Sequence, residues 1–266
     1  KALFNDLALR DTLNLSGVNS INWARILAQI VYYFTAAVAL GAPERKTSFA
    51  VPTGNFGDVL AGYYAKLMGL SIERLIIATN ENDILARTLE SGVYKPMGVK
   101  ATASPSMDIQ ISSNFERLLF DAYGRDAAAI RALMGALAQG GEFAIAPRAL
   151  AAIKRDFDAR RVDETQCADE MARVYRDSGI ILDPHSAVGV HAAREALKRD
   201  PATPVVALAT AHPAKFSDAV ERAIGVKPET PRRLRGLETR RERFTVLPND
   251  AAAVAKFVRE RARVAA

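Results

Sequence analysis

Two short apolar runs, each followed by a stretch with helical spacing, most constrain the fold of this chain. Residues 47–51 read as a buried strand, and the apolar residues from Val59 to Met68 recur at helical spacing. Residues 72–80 form a second apolar run, and the sequence ENDILARTLESG then predicts a helix that ends at Gly92. Strands and helices in this order predict a parallel sheet with right-handed crossovers. Such sheets bind their ligands at the carboxyl ends of the strands.

The turn between the first strand and its helix, VPTGNFGD, has the composition of an anion site. Gly54 and Gly57 lack a Cβ, so the backbone is able to approach a ligand closely. The first N–H groups of the following helix have no intrahelical partner, and phosphate is their usual ligand. The nucleotide-binding loops do not fit, because no Lys-Ser/Thr pair follows the second glycine and no GxGxxG is present. An ordinary turn with Asp58 as the helix cap is the alternative.

A second anion receptor is predicted where the sequence GVNSINWARILAQ begins a helix. Ser20 and Asn22 precede this helix, which should start near Ile21 or Asn22, and Arg25 falls on its first turn. Hydroxyl, amide, free N–H groups and guanidinium then converge on one point, which suits a phosphate or a carboxylate. A capped helix start with an exposed arginine is the alternative.

Helical patterns replace the alternation of strands and helices between about residues 115 and 178. The alternation returns with the turn DPHSAVG, a helix beginning near Pro184 and a buried strand in TPVVALATAHPAKF. An insertion of helices into an α/β domain explains this region. Residues 243–247 are expected to form a last strand before a C-terminal helix from about Asp250.

The composition disfavours several classes of function. No metal-ligand spacing and no GxSxG motif occurs, so His185 is expected to be structural and Lys215 to be a solvated lysine at a helix start. The single cysteine, Cys167, suits a reducing compartment and is expected to be unreactive, and we expect a cytoplasmic protein. The net charge of +6 is concentrated in residues 231–244, interpreted as a solvated connector and not a nucleic-acid surface. The apolar run 26–43 is interrupted and predicts a buried helix, not a membrane span.

Five separate stretches resemble threonine synthase of the longer bacterial and fungal form. They are NSINWARILAQIVYYF, VPTGNFGDVLAGYYAKLMGL, SPSMDIQISSNFERLLF, DPHSAVGV and TAHPAKF, in the family's order. The resemblance implies a pyridoxal-phosphate enzyme of fold type II, the tryptophan-synthase-β-like fold, with an open parallel α/β sheet and flanking helices. It implies a carbon-oxygen lyase that converts O-phospho-L-homoserine and water to L-threonine and phosphate, in threonine biosynthesis. It also implies two domains, with residues 1–21 as the tail of the smaller one. Residues 22–266 are then the large cofactor-binding domain, with a helical insert at about 102–180.

The resemblance assigns site residues by matching motif positions. The residues that match the loop for the cofactor phosphate are Gly54, Asn55, Phe56, Gly57 and Asp58. Thr210 matches the hydroxyl residue beside the pyridine nitrogen, where a neutral side chain leaves that nitrogen largely unprotonated. The residues that match the binding site for the substrate phosphate are Ser20, Arg25, Asn55 and, more weakly, Asn22.

The chain departs from the family in one respect. The family's Schiff-base lysine, and the asparagine that faces the cofactor's 3′ oxygen, lie in an N-terminal half with no counterpart in this sequence. The chain begins at Lys1 without an initiator Met, and we expect the N-terminal half of the same protein to be absent from it. No catalytic residue is then expected in this chain, and the chain alone is expected to be inactive. A non-catalytic ligand-binding fragment, or another fold-type-II enzyme such as threonine dehydratase or cysteine synthase, is the alternative.

Overall fold

A computed structural model of the chain describes residues 2–17 and 19–263. The helices are α1 Ala2–Asn5, α2 Leu7–Thr12, α3 Trp23–Ala39, α4 Gly57–Leu67, α5 Ile84–Ser91, α6 Phe115–Ala122, α7 Ala127–Gly140, α8 Pro147–Asp156, α9 Glu164–Ser178, α10 Pro184–Arg199, α11 Ser217–Ile224 and α12 Ala251–Arg261. The strands are β1 Thr47–Pro52, β2 Ile72–Thr79, β3 Val93–Tyr94, β4 Phe143–Ala144, β5 Phe157–Arg161 and β6 Val205–Ala207. Lys1 and Ala266, the outer limits of the two expected domains, lie outside the described residues.

The central sheet is parallel and has the strand order β5-β2-β1-β6. Phe49 of β1 lies opposite Leu75 of β2 on one side and Val206 of β6 on the other. β1 is buried along its whole length, because it has a neighbouring strand on each side and helices above and below. The parallel α/β sheet expected from the order of strands and helices is confirmed.

Alternate residues of the central strands belong to two hydrophobic cores. Phe49 and Val51 pack in the core that includes residues of α3 to α8, whereas Ala50 and Ile76 pack in the core of α9, α10 and α11. Parallel sheets are covered on both faces in this way, which explains why their strands read as continuous apolar runs.

Helices α3 and α4 pack closely on one face of the sheet. A Cβ at Gly62 of α4 would lie 2.6 Å from the ring of Tyr33, so the tyrosine occupies the space left by the missing side chain. The same ring packs against Phe49 with a centroid distance of 4.8 Å. α3 begins where the sequence predicts, because the Asn22 side chain accepts a 2.9 Å hydrogen bond from the Ala24 N–H.

The segment expected to be a helical insert, residues 102–180, contributes strand β5 to the central sheet. β5 pairs in parallel with β2, with Phe157 opposite Leu75. Its charged sequence FDARR gave no apolar run to detect, because an edge strand keeps one side open to solvent. The expectation of an insert made only of helices was therefore wrong.

Two other strand expectations differ from the structure. The predicted strand at residues 243–247 is wrong, since the described residues 240–249 contain no strand. Phe244 and Val246 are exposed there, so an apolar pattern was present without a neighbouring strand to pair with. β6 exists but is half-buried instead of buried, because it forms an edge of the sheet.

Contacts divide the chain into two compact units. One unit is residues 20–230, which contain the sheet and every residue predicted to bind a ligand. The other unit is formed by the described residues of 1–19 and 231–266, in which α1 contacts α12. This grouping differs from the expected boundary after residue 21, because the C-terminal segment groups with the N-terminal helices. Among the described residues, no helix combines the length and apolar character needed to cross a membrane.

Candidate functional site

A cavity of about 750 Å³ lies at the carboxyl ends of β1 and β6. One side of α3, the loop between β1 and α4, and the residues after β6 line it. The predicted site residues that line this cavity are Ser20, Arg25, Gly54, Asn55, Phe56, Gly57, Asp58 and Thr210. Asn22 is not among the described lining residues, and its side chain caps α3 instead. The two receptors predicted separately from the sequence thus face one cavity.

The loop from Gly54 to Asp58 is held from behind by residues 112–114. The carbonyl oxygen of Gly54 accepts a 2.7 Å hydrogen bond from the Ser112 hydroxyl. The carbonyl oxygen of Asn55 accepts hydrogen bonds from the backbone N–H and the side-chain amide of Asn114, at 3.1 and 3.0 Å. In a trans peptide the next N–H points opposite to the carbonyl, so the N–H groups of Asn55 and Phe56 point away from residues 112–114.

Phe56 turns this loop into the start of α4. Its φ of 65° is left-handed, which is a strained conformation for a residue with a side chain. The buried ring of Phe56 offsets that strain by packing against Phe115 and Phe157, with centroid distances of 5.4 and 5.7 Å. Within the described part of the chain no side chain caps α4, so its first amides are left for a ligand. The helix dipole favours an anion at the same point.

Gly54 approaches a neighbouring segment more closely than any other residue type would allow. A Cβ at this position would lie 2.8 Å from the backbone oxygen of Ser106. The Ser106 N–H donates a 3.2 Å hydrogen bond to Nε2 of His185, and Nδ1 of His185 lies 2.9 Å from Asp183. His185 is thus buried with a partner for each ring nitrogen, in agreement with the structural role predicted for it. Burial alone would raise the pKa of Asp183, but hydrogen bonds from His185 and Ser186 hold it below its ordinary value.

The cavity side of α3 carries Arg25, Gln29 and Tyr32, which are spaced four and three residues apart. Arg25 forms no ion pair with any residue that the structure describes, so its guanidinium remains available to an anion. The segment before α3 is fixed by Asn114, whose side-chain amide donates a 2.8 Å hydrogen bond to the Ser20 carbonyl oxygen. Asn114 therefore holds both predicted receptors in place.

A partly buried carboxyl group, that of Asp58, lies at the first turn of α4. Asp58 Oδ1 accepts hydrogen bonds from the phenols of Tyr32, at 2.5 Å, and Tyr33, at 3.0 Å. Burial raises the pKa of Asp58 above its ordinary value, while the hydrogen bonds from the two tyrosines lower it in part. Burial, and the carboxylate of Asp58 next to them, raise the pKa of both phenols. The two O–H groups thus point their hydrogens at the Asp58 carboxyl beside the anion receptor.

Other reactive groups do not form a site. Burial raises the pKa of the Cys167 thiol to about 12, and its Sγ donates to the carbonyl oxygen of Pro184. Lys215 is exposed, with its Nζ 5.5 Å from the ring centroid of Phe216. No metal-binding group of His, Cys, Asp and Glu occurs among residues 2–17 and 19–263. As far as the chain is described, the cavity lining contains no lysine.

Sequence reasoning missed the residues that support the site. Gln29 and Tyr32 were not identified, although their spacing from Arg25 on a predicted helix places them on the same face. Ser112 and Asn114 lie in one of the five recognised stretches but received no role. No local pattern shows that residues 112–114 contact a loop almost sixty positions earlier.

A family model, curated relatives and solved structures of threonine synthases all match this chain. The family model described as "Threonine synthase, C-terminal" matches residues 186–258. The threonine synthase of Pseudomonas aeruginosa is 50% identical over 97% of this chain, which covers 55% of that relative. The crystal structure of PLP-bound threonine synthase from Brucella melitensis has a TM-score of 0.91 at 60% identity, covering 98% of this chain and 56% of that one.

The yeast threonine synthase structure has a TM-score of 0.82 at 40% identity, over 92% of this chain and 53% of that one. The chain spans about half the length of these relatives. The fold expected from the resemblance, an open parallel α/β sheet of fold type II, is confirmed. By sequence and by fold, the chain belongs to the threonine synthase family and includes its C-terminal domain.

Proposed function

We propose that this chain supplies the cofactor- and substrate-binding part of a pyridoxal-phosphate-dependent threonine synthase. The reaction consumes O-phospho-L-homoserine and water and yields L-threonine and inorganic phosphate. The observation that carries the proposal is the backbone receptor at residues 54–58, which shares a cavity with the guanidinium of Arg25, a group that forms no ion pair with a described residue. A cofactor and a substrate that each bear a phosphate need two receptors of this kind.

The first receptor fits the phosphate of the cofactor. The N–H groups of Asn55 and Phe56, and those that open α4 at Gly57 and Asp58, are donors without a competing side-chain cap within the described chain. Backbone donors at a helix start suit a phosphate dianion, and the positive end of the helix dipole adds to the attraction. Two phenols donate to the carboxyl of Asp58, which reduces its repulsion of an anion in this receptor.

The second receptor fits the phosphate of the substrate. Arg25 provides a charge and paired donors, and Ser20 provides a hydroxyl at the same wall of the cavity. Asn55 lines the same cavity, and we propose that its side chain contacts the substrate phosphate as well. Gln29, one turn beyond Arg25, adds an amide to this wall.

Thr210 is proposed to lie beside the pyridine nitrogen of the cofactor. It lies three residues beyond the end of β6 and lines the cavity. A hydroxyl there donates or accepts a hydrogen bond without supplying the negative charge that would keep the nitrogen protonated. When bound, the cofactor ring stores the electrons released at the substrate carbons while phosphate leaves and water adds.

The lysine that binds the cofactor covalently is proposed to come from polypeptide outside these residues. The described cavity lining contains no lysine, and Lys215 is exposed beside Phe216. The chain alone is therefore expected to bind the cofactor weakly and to release no phosphate. A cytoplasmic location remains part of this proposal.

Phosphate release from O-phospho-L-homoserine by the complete product of the gene tests the proposal, with this 266-residue chain as the control. We expect release by the complete product only, dependent on added pyridoxal phosphate. Lack of release by a complete product that retains the cofactor through dialysis would favour a related enzyme, such as threonine dehydratase or cysteine synthase. A complete product that neither retains the cofactor nor contains the lysine would favour a non-catalytic ligand-binding role.

A further inference from the structure

Helix α3 has three faces with different surroundings. One face, with Ile26, Ile30 and Tyr33, is buried in the core, and a second, with Arg25 and Gln29, lines the cavity. The third face is apolar and open to solvent. Its large side chains, with their exposed fractions, are Trp23 (47%), Leu27 (55%), Val31 (60%) and Val38 (62%).

The third face of α3 has the composition of a buried surface. The sequence contains no charged residue between Arg25 and Glu44, so the helix is apolar on its solvent side as well as on its core side. Helices that are apolar all round are normally buried, and contiguous exposed apolar patches mark interaction surfaces. A groove of about 600 Å³ continues this surface beyond Trp23, where Tyr64 and Phe120 line it.

We propose that this face of α3 is the docking surface for the polypeptide that accounts for the remaining length of the relatives. The chain covers only 55% of the Pseudomonas relative and 56% of the Brucella one, so a large segment exists in the family that could cover it. A covalently linked segment has a high effective concentration, and it needs less interface area than a second copy of the chain would. At 100° per residue the face lies roughly opposite to Arg25 and Gln29 around α3, so its occupant does not compete with a ligand for the cavity.

Thiol labelling compares this chain with the complete product of its gene. Leu27→Cys places a thiol on the proposed surface. Ile180→Cys is the matched control, because Ile180 is 56% exposed and lies beyond α9, a helix that packs in the other core of the sheet. Cys167 reacts slowly because it is buried and its thiol pKa is raised to about 12. Cysteines outside these 266 residues are replaced by serine.

We expect maleimide to label Leu27→Cys at least tenfold more slowly in the complete product than in this chain, and Ile180→Cys at similar rates in both. Equal labelling of Leu27→Cys in the two proteins would overturn the proposal, as would a complete product with no further polypeptide. In this chain alone, Leu27→Cys could instead become protected from maleimide as the protein concentration rises, with a dimer seen in sedimentation. That result would assign the face to a second copy of the chain and would also overturn the proposal.

A charge on the same face gives a second readout. Val31→Asp is expected to lower the urea midpoint of the complete product and to leave that of this chain unchanged, while Ile180→Asp changes neither. A loss of equal size in both proteins would contradict docking at Val31. Neither measurement requires cofactor or substrate, so failure of the proposed function would leave this inference standing.

Discussion

The phenolic oxygen of Tyr32 lies 2.5 Å from Oδ1 of Asp58, and this contact joins α3 to the first turn of α4 at the wall of the cavity. Tyr33 donates to the same oxygen and to the Asp58 carbonyl, so adjacent tyrosines of one helix converge on one residue of the other. The two helices that carry the proposed phosphate receptors are thereby connected through one partly buried residue, Asp58.

Asp58→Ala should destabilise the chain by about 1–3 kcal/mol, because it removes the carboxylate acceptor of the half-buried Tyr32 phenol and of the buried Tyr33 phenol. Asp58→Asn retains an oxygen at the same position and should lower the free energy of unfolding clearly less. Urea denaturation at pH 7 measures both. Equal losses for the two variants would show that charge, and not the acceptor, is what the tyrosines require.

Tyr33 should make the fold sensitive to alkali. Burial, with the charge of Asp58 next, raises its pKa above 10, so the folded protein keeps a proton that the unfolded chain releases. Stability is then present below pH 10 and falls as pH rises beyond it, by about 1.4 kcal/mol per pH unit from this residue. Urea midpoints measured from pH 8 to 11 should decline less steeply for Tyr33→Phe, and parallel curves would exclude Tyr33 as a cause.

Asp183 should contribute stability that acid removes. Its pKa is lowered in the folded state, since hydrogen bonds from His185 and Ser186 outweigh burial, so the unfolded chain binds the proton first as pH falls. The contribution is complete above the ordinary carboxyl pKa of about 4 and is lost below it. Asp183→Asn should lower the free energy of unfolding by about 2 kcal/mol at pH 7. The difference in stability between this variant and the parent chain should become smaller toward pH 3. A gap that does not change with pH would refute this origin.

Gly54→Ala should destabilise the chain by about 1–3 kcal/mol, because the added Cβ would meet the Ser106 backbone oxygen at 2.8 Å and force the segments apart. Gly98→Ala is the matched control, since nothing lies within 4 Å of a Cβ there. Urea denaturation compares the two. If Gly54→Ala were as mild as the control, the close approach would not constrain the loop.

Arg25→Ala in the complete gene product should raise KM for O-phospho-L-homoserine about 30-fold, which corresponds to about 2 kcal/mol for a charge-assisted pair with phosphate. Arg45→Ala removes an arginine that is exposed and outside the described cavity lining, and it should leave KM unchanged. Steady-state kinetics of both variants measure this KM. An unchanged KM for Arg25→Ala would remove this residue from the substrate site.

Local patterns were sufficient for the parts of the molecule that local rules govern. β1, the loop from Gly54 to Asp58 and α4 were predicted together, because apolar spacing and glycine placement act over a few residues. Strand β5 was not predicted, because its pairing with β2 depends on a neighbour about eighty residues away and not on its own charged sequence. The contacts of Asn114 and of Tyr32 escaped prediction for the same reason, because they require knowing which helix and loop become neighbours.

The hydrogen atom that stands for a side chain at Gly62 has an effect well beyond its own helix. It lets α3 rest directly on α4, and the spacing of the two axes sets how far the guanidinium of Arg25 stands from the amides of residues 55–58. The proposed function places one bound phosphate at each of these two groups. The distance between Arg25 and these amides thus depends on an interior residue that contacts neither of them.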